Sequence, residues 1–457
     1  MSRQSWEFGI VGFLFGIICY TEHSTFRNEG SFLLVDFKIK NCLSYKEETL
    51  FSMVSGTRVR KLKETHIMSQ HKISLVKSAF IFGPNGSGKS NLFTAIKVLR
   101  SLLFNFESLN NVTQMKLPYQ PFQLGGNGEE PTEFAISILL DGELFEYEVH
   151  YNEEKILFER FSKVMKTAKK DFFIRVFDLK TEEYHYKLAR KKHTELIHYT
   201  RPNTAFLAIL NVFNDPQAAK IFDWFIDKII FLDESHRLSS HPLIRKLEDD
   251  AFKQEVIKLL KIADFSIQDL TARRVERKEK NTILHDFDLN YAVIQEVDID
   301  LHYLSFDENG APTGTKTINW TMDSKGTVRM LYLATVMVDA HNKGKTIFID
   351  EFDTAFHVSI CEFLMTIMNS KRNTNNQFIV TSHEIDLLDQ PLRTDQIWFV
   401  NKSFKNESEL YSLFDFADLH KKRADISYAK RYLKGEFGAT PVINGYLSQQ
   451  YLREEEQ

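Results

Sequence analysis

The chain runs to 457 residues, 43% hydrophobic and 26% charged, which is enough apolar mass for a large core and more than one domain. Its formal net charge of -4 excludes a global basic field, so any contact with nucleic acid has to be local. Three cysteines, Cys19, Cys42 and Cys361, odd in number and far apart, exclude a disulfide framework and fit a reducing, cytoplasmic setting.

In chain order, "WEFGIVGFLFGIICY" (6–20) comes first. It is apolar but shorter than the roughly 20 residues a bilayer requires, and no small-residue cleavage site follows. No stable membrane association is expected; residues 1–30 read as a packed segment or as leader from a start codon placed too early. "FLLVDFKIKNCLSYKEETLFSM" (32–53) alternates as a β-hairpin does. "FIFGPNGSGKSNLFTAI" (80–96) is an apolar strand, a turn of small residues and the start of a helix, whose stripe is Leu92, Ile96, Leu99 and Leu103. Residues 132–164 read as an antiparallel meander turning at Asp141-Gly142. Residues 204–263 look helical, 291–306 return to alternation, and 326–439 alternate helix with apolar strand, as an α/β unit should. Repeats, long heptad runs and low-complexity linkers are absent from the sequence.

Gly83-Pro84-Asn85-Gly86-Ser87-Gly88-Lys89-Ser90, followed by Asn91, satisfies the phosphate-loop pattern between a strand and a helix. Glycines let backbone N–H groups converge on phosphate oxygens, and the helix N-terminus adds a favourable dipole. Lys89 suits the outer phosphates and Ser90 a magnesium ion. "KTIFIDEFD" (345–353) is a buried strand ending in acids. Asp350 suits the Mg²⁺ contact and Glu351 a general base that polarises water; the bland alternative is that both cap a helix. "FIVTSHEIDLLD" (378–389) ends a further apolar strand with His383 at its tip. Ser324, Gly326 and Thr327 open a strongly apolar helix, offering a hydroxyl and a positive dipole end that in one protomer has no anion to bind. Its target is then the γ-phosphate held by a second protomer, unless it is an ordinary capped helix. "NKSF" (401–404) lacks the acid of a guanine-reading motif.

These pieces, in this order, resemble the ABC-class ATPase heads of the SMC and RecF kind. More closely, the chain resembles the AAA-labelled abortive-infection ATPases of bacterial anti-phage systems. "LLVDFKIKNCLSYKEE", "GPNGSGKSN", "LLKIADFSIQDL", "DSKGTVR", "FIDEFDTAFH", "VTSHEIDLLD", "RTDQIWFV", "ELYSLFDF" and "KRYLKGEFGATP" carry that resemblance across residues 33–441. Asp323 stands where the family has Glu, and Glu436-Phe437 where it has Arg-Tyr. The glutamine of the family's glutamine loop stays open among Gln114, Gln120 and Gln123.

The resemblance implies an α/β fold: an ABC-type P-loop head of mixed sheet, with an antiparallel β subdomain and an inserted α-helical lobe. Along the chain this divides into the extension 1–30, a first ATPase lobe 31–103, a β-rich meander and insert 104–200, a helical lobe plus β-hairpin 201–320, a second ATPase lobe 321–445 and a tail 446–457. It further implies ATP and Mg²⁺ as ligands and two heads closing on two ATP molecules. Each site would join Lys89, Ser90, Asp350, Glu351 and His383 of one chain to Ser324 and Gly326 of the other, with Asp353 in the loop that crosses the dimer contact.

The resemblance implies a separately encoded nuclease or toxin as partner and leaves the trigger open among a phage product, DNA ends and a nucleotide signal. Within this chain the pairs Asp286/Asp288 and Asp298/Asp300 lack the surroundings of a Toprim metal site, and "RKKHTELIH" (190–198) lacks the spacing of a HEPN ribonuclease. "TARRVERKEK" (271–280) is basic and reads as a solvated face or a contact strip. The expectation is a sensor or motor that commands a separate effector. A DNA-repair ATPase of the RecF type and a slowly hydrolysing scaffold are the alternatives.

Overall fold

In the computed structural model, residues 32–70, 73–104, 116–125, 130–165, 168–232, 242–280, 291–341, 343–416 and 427–441 are described. The apolar N-terminal stretch, Gln114 and the Asp286/Asp288 pair lie outside the described residues.

The hairpin expected at the start of the domain forms from β1 (Phe32–Lys40) and β2 (Thr49–Ser52). A short helical turn α1 (Lys63–His66) and the small ribbon β3 (Ile67–Gln70) and β4 (Ile73–Val76) lead into β5 (Ser78–Phe82) and the long helix α2 (Lys89–Phe104). The meander consists of β6 (Thr132–Leu140), β7 (Glu143–Tyr151), β8 (Ile156–Val164), β9 (Lys169–Asp178) and β10 (Glu183–Leu188). These five strands pair onto β1, giving an antiparallel sheet in the order β10-β9-β8-β7-β6-β1-β2. A division of the chain at residue 103 therefore cuts through one continuous sheet.

Helices α3 (Phe206–Val212), α4 (Pro216–Asp223) and α5 (Asp250–Ile262) form within the span expected to be helical. The expectation fails at one place: Ile229–Leu232 is a strand, β11. Four apolar residues are too few for periodicity to distinguish helix from strand. The distinction comes from β15 (Thr346–Ile349), with which β11 pairs in parallel. Strands β12 (Ile267–Lys280), β13 (Tyr291–Phe306) and β14 (Pro312–Asn319) form a separate three-stranded sheet. The chain then follows α6 (Lys325–Ala340), β15, α7 (Val358–Met368), β16 (Gln377–Ser382), β17 (Ile397–Lys402), β18 (Ser408–Ser412) and α8 (Tyr428–Leu433).

The central sheet has the order β11-β15-β16-β5-β17-β18, parallel throughout except for the antiparallel pair at β18. Its strands are apolar on both faces because both faces are covered. On β5, Ala79 and Ile81 enter one core with Leu92, Phe93, Ile96 and Leu99 of α2 and the large antiparallel sheet. Phe80 and Phe82 enter the other core with α5, α6 and α7. One strand, β16, separates the strand that precedes the phosphate loop from the strand that ends in the acid pair. This is an α/β P-loop fold, with its loops gathered at the carboxyl ends of the parallel strands.

The "RTDQ" segment fixes this arrangement. Arg393, fully buried, donates to both oxygens of Asp395 (2.9 and 2.5 Å) and to the Lys61 carbonyl (2.6 Å). Asp395 also accepts from the Gly56 amide (2.7 Å), and Gln396 donates to the Ser78 carbonyl (3.0 Å). A buried ion pair satisfied on all sides orders the 56–61 loop against β5 and β17.

Candidate functional site

The turn between β5 and α2 is held from outside by serines. Ser408 Oγ donates to the Ser87 carbonyl (2.5 Å) and lies 2.7 Å from Ser44 Oγ. The Asn91 side-chain amide donates to Ser44 Oγ (2.7 Å), and the Tyr45 hydroxyl to the Gly88 carbonyl (3.0 Å). Gly88 has φ +109, and a Cβ there would stand 2.1 Å from Ser408 Oγ. Only glycine fits that backbone and that gap. With its carbonyls turned outward onto these partners, the loop keeps the first-turn N–H groups of α2, which lack intrahelical acceptors, for an anion.

Lys89 is buried, and its ammonium folds back to donate to the carbonyls of Gly83 (2.8 Å) and Pro84 (3.1 Å), with His383 Nδ1 3.4 Å away. Burial lowers its pKa to about 8, against the opposing pull of Asp350, Asp353 and Glu351. His383 is also pushed below the ordinary imidazole value, first by burial and then by the Lys89 charge. An anion in the loop would reverse the cost on Lys89.

Opposite the loop, the Ser90 hydroxyl donates to Asp350 Oδ1 (3.0 Å). Thr381, at the end of β16, donates to the same oxygen (2.5 Å) and accepts from the Glu351 amide (2.8 Å). Glu351 sits at φ +48, a left-handed backbone that a non-glycine residue adopts only when its surroundings impose it. The reading of these acids as a helix cap does not hold, because α7 begins at Val358 with His357 as its N-cap. Asp353 Oδ1 accepts from the His383 amide (3.1 Å), so acid loop and histidine are fastened together. The structure thus brings Gly83–Asn91, Asp350, Glu351, Asp353 and His383 into one cluster. A hydroxyl and a carboxylate side by side are a donor pair of the kind a hard divalent cation takes, so Ser90 and Asp350 fit Mg²⁺.

Ser324 is placed differently. It is the N-cap of α6: its Oγ accepts from the Thr327 amide (3.1 Å) and lies 2.8 Å from Thr327 Oγ1. Gly326 rests against the turn after the acid pair, where a Cβ would lie 2.9 Å from the Ala355 carbonyl. One helical turn on, Arg329 donates to the carbonyls of Asp350 (2.7 Å) and Glu351 (2.5 Å). The helix tip is therefore tied to the back of the acid turn of its own chain, while its hydroxyl is engaged in the cap.

Two clefts flank the loop. One of about 550 Å³ is lined by Gly83, Asn85, His383, Lys402 and, from the C-terminal segment, Thr440 and Pro441. The other, about 560 Å³, is lined by Ser44, Gly86, Asn91, Gln120, Gln123 and Lys402. Both described candidates for the glutamine loop thus line the same cleft. Glu436, in place of the expected Arg, pairs with Arg431 (2.6 Å), and Phe437 stacks on Phe399. Sequence reasoning missed Thr381, Arg329 and Ser408. Thr381 and Arg329 lay inside the quoted "VTSHEIDLLD" and "DSKGTVR" without a role of their own, and Ser408 lay outside every quoted motif.

Among the described residues no group of three or more His, Cys, Asp or Glu is arranged to hold a metal ion, and no helix is long and apolar enough to cross a membrane. In the basic run, Arg273 pairs with Asp300, and Arg274 with Glu248 (2.8 Å).

A family model described as AAA domain, putative AbiEii toxin, Type IV TA system matches residues 78–389, well over half of the chain. No curated protein matches it. Among solved structures, the chain is similar to an SMC head bound to the C-winged helix domain of ScpA, at 14% identity over 85% of this chain and 99% of that one, with a TM-score of 0.40. It is similar to the SMC head domain from Thermotoga maritima, at 12% identity over 83% of this chain and 98% of that one, TM-score 0.35. It is also similar to the Smc head domain with an extended coiled coil bound to the C-terminal domain of ScpA derived from Pyrococcus furiosus, at 12% identity over 86% of this chain and 100% of that one, TM-score 0.41.

Proposed function

The chain belongs to this family of AAA domains, and from that premise we propose that it binds and hydrolyses ATP as the sensor or regulatory scaffold of an anti-phage, abortive-infection system. In this reading, two heads close around ATP and control a separately encoded nuclease or toxin. The observation that carries it is the hydrogen-bonded cluster of loop, Asp350, Thr381, Glu351 and His383, which sets a carboxylate pair beside an anion cradle.

The triphosphate lies along the loop. Its outer phosphates face Lys89 and His383, so the nucleoside extends toward the cleft of Ser44, Asn91, Gln120 and Gln123. Lys89 exchanges the Gly83 and Pro84 carbonyls for phosphate oxygens. Ser90 and Asp350 would hold Mg²⁺, which supplies charge neutralisation between the phosphates. Thr381 fixes the Asp350 carboxylate and the Glu351 backbone, so that Glu351 is placed to take a proton from attacking water. Ser324 and Gly326 of a second copy complete the γ-phosphate site. The test combines two measurements. Mg²⁺-dependent phosphate release should be strongly slowed by Glu351→Gln without loss of ATP binding. A disulfide between chains carrying Asn85→Cys and Ser324→Cys should form with ATP and not with ADP. Unimpaired turnover in Glu351→Gln overturns the base, and ATP-independent crosslinking overturns the sandwich.

The family's description favours a second reading, in which the chain is itself the toxin of a two-gene pair. Growth arrest on expression of this chain alone, relieved by a neighbouring gene, would support it over the effector-control reading. The DNA-repair alternative is disfavoured by the neutralised Arg273 and Arg274. Salt-sensitive DNA binding by the isolated chain would restore it.

A further inference from the structure

A cavity of about 710 Å³ lies away from the loop's mouth, between β2 and β18. Among the described residues each is the last strand of its sheet, so each has an edge that no further strand of that sheet covers. Six carboxylates line the groove: Glu47, Glu48, Asp395, Glu407, Glu409 and Asp415. No Lys, Arg or His joins them in the lining among the described residues. Behind the wall, Lys38 pairs with Glu48 (3.2 Å), Lys46 with Glu407 (3.2 Å) and Arg393 with Asp395 (2.5 Å). Glu47, Glu409 and Asp415 have no ion-pair partner among the described residues.

The groove also carries apolar surface. Trp398 lines it, only 8% exposed. Leu50 and Val54, on the β2 side of the wall, are 50% and 42% exposed. Apolar side chains beside a strand edge, within a carboxylate wall, match an extended segment that alternates cationic and apolar side chains. Nucleic acid is repelled by this surface. A coordinated metal ion has no ligand cluster among the described residues.

We propose that the groove between β2 and β18 docks a basic, extended peptide segment of a partner protein. The inference does not rest on the nucleotide reading, and its test contains no nucleotide. The probe is a fluorescein-labelled short peptide alternating lysine and valine, titrated with the full chain and followed by anisotropy. Saturable binding should weaken by at least ~10-fold in Glu47→Lys/Glu409→Lys, and comparably in Leu50→Asp. Glu308→Lys, on the distant β13–β14 turn, should leave it unchanged. Melting curves establish that each variant is folded. Failure of the wild-type chain to bind overturns the proposal, as does binding indifferent to the groove variants. Equal competition by spermine would reduce the groove to a general cation trap and overturn the peptide reading. Groove variants that only dissolve a self-association of this chain would assign the groove to a second copy instead, and would equally overturn it.

Discussion

The phosphate loop and the acidic groove share a wall at Ser408, which lines one and grips the Ser87 carbonyl of the other, yet they are charged in opposite ways. The loop attracts anions chiefly through backbone N–H groups and one buried cation, none of which changes the charge count appreciably. The groove is negative through side chains drawn from three separate stretches, 47–57, 395–398 and 407–415. A net charge of -4 therefore describes neither site. Local chain geometry decides what each attracts.

The comparison can be broken at its strongest point first. Glu351→Gln should slow single-turnover phosphate release by about 10²–10³-fold while ATP remains bound, because the amide cannot accept the proton. Peptide binding in the groove should not change. Next, Gly88→Ala imposes both a left-handed strain of about 1–3 kcal/mol and a clash with Ser408, so nucleotide binding should fall by more than ~10-fold. Adding Ser408→Ala should recover part of that loss, since Ser44 and the positive φ remain; no recovery would show that the serine does not shape the loop. A smaller effect is expected for Thr381→Val, which removes the hydroxyl shared by Asp350 and the Glu351 amide. Loss of that pair should lower turnover by about 10-fold with little change in affinity, given about 1 kcal/mol per bond.

The smallest effect sharpens the electrostatic side. Lys89 has a pKa of about 8 without ligand, and phosphate oxygens raise it, so binding takes up a proton above that value. ATP affinity should be fully expressed below pH 8 and decline as pH rises through and beyond it. Calorimetry in buffers of different ionisation enthalpy measures the uptake. Proton release, or no exchange, would contradict the burial-driven depression.

Much of this molecule was legible before any coordinates. The loop announces itself because each glycine answers a backbone requirement, and the meander because alternation and a Asp141-Gly142 turn reinforce one another. Strand β11 was not legible: "IIFL" sits inside a helical stretch, and its partner β15 begins more than a hundred residues later. Thr381, Arg329 and Ser408 were hidden for a related reason. Each acts through a single hydrogen-bonding group placed by tertiary structure, and no local pattern marks that role even where, as for Thr381 and Arg329, a quoted motif contains the residue. The "RTDQ" stretch was visible as a motif, but its work is internal: Arg393 binds Asp395 and the Lys61 carbonyl and never meets the loop.

Arg329 carries a consequence for timing. It clasps the carbonyls of Asp350 and Glu351 from the helix whose tip is Ser324. If that tip serves the neighbour's nucleotide, each chain's acid turn is mechanically joined to the opposite reaction. The two hydrolysis events are then crossed rather than parallel, and spending one ATP loosens the grip on the other. A paired head of this kind would release as a unit, acting as a latch with a single lifetime.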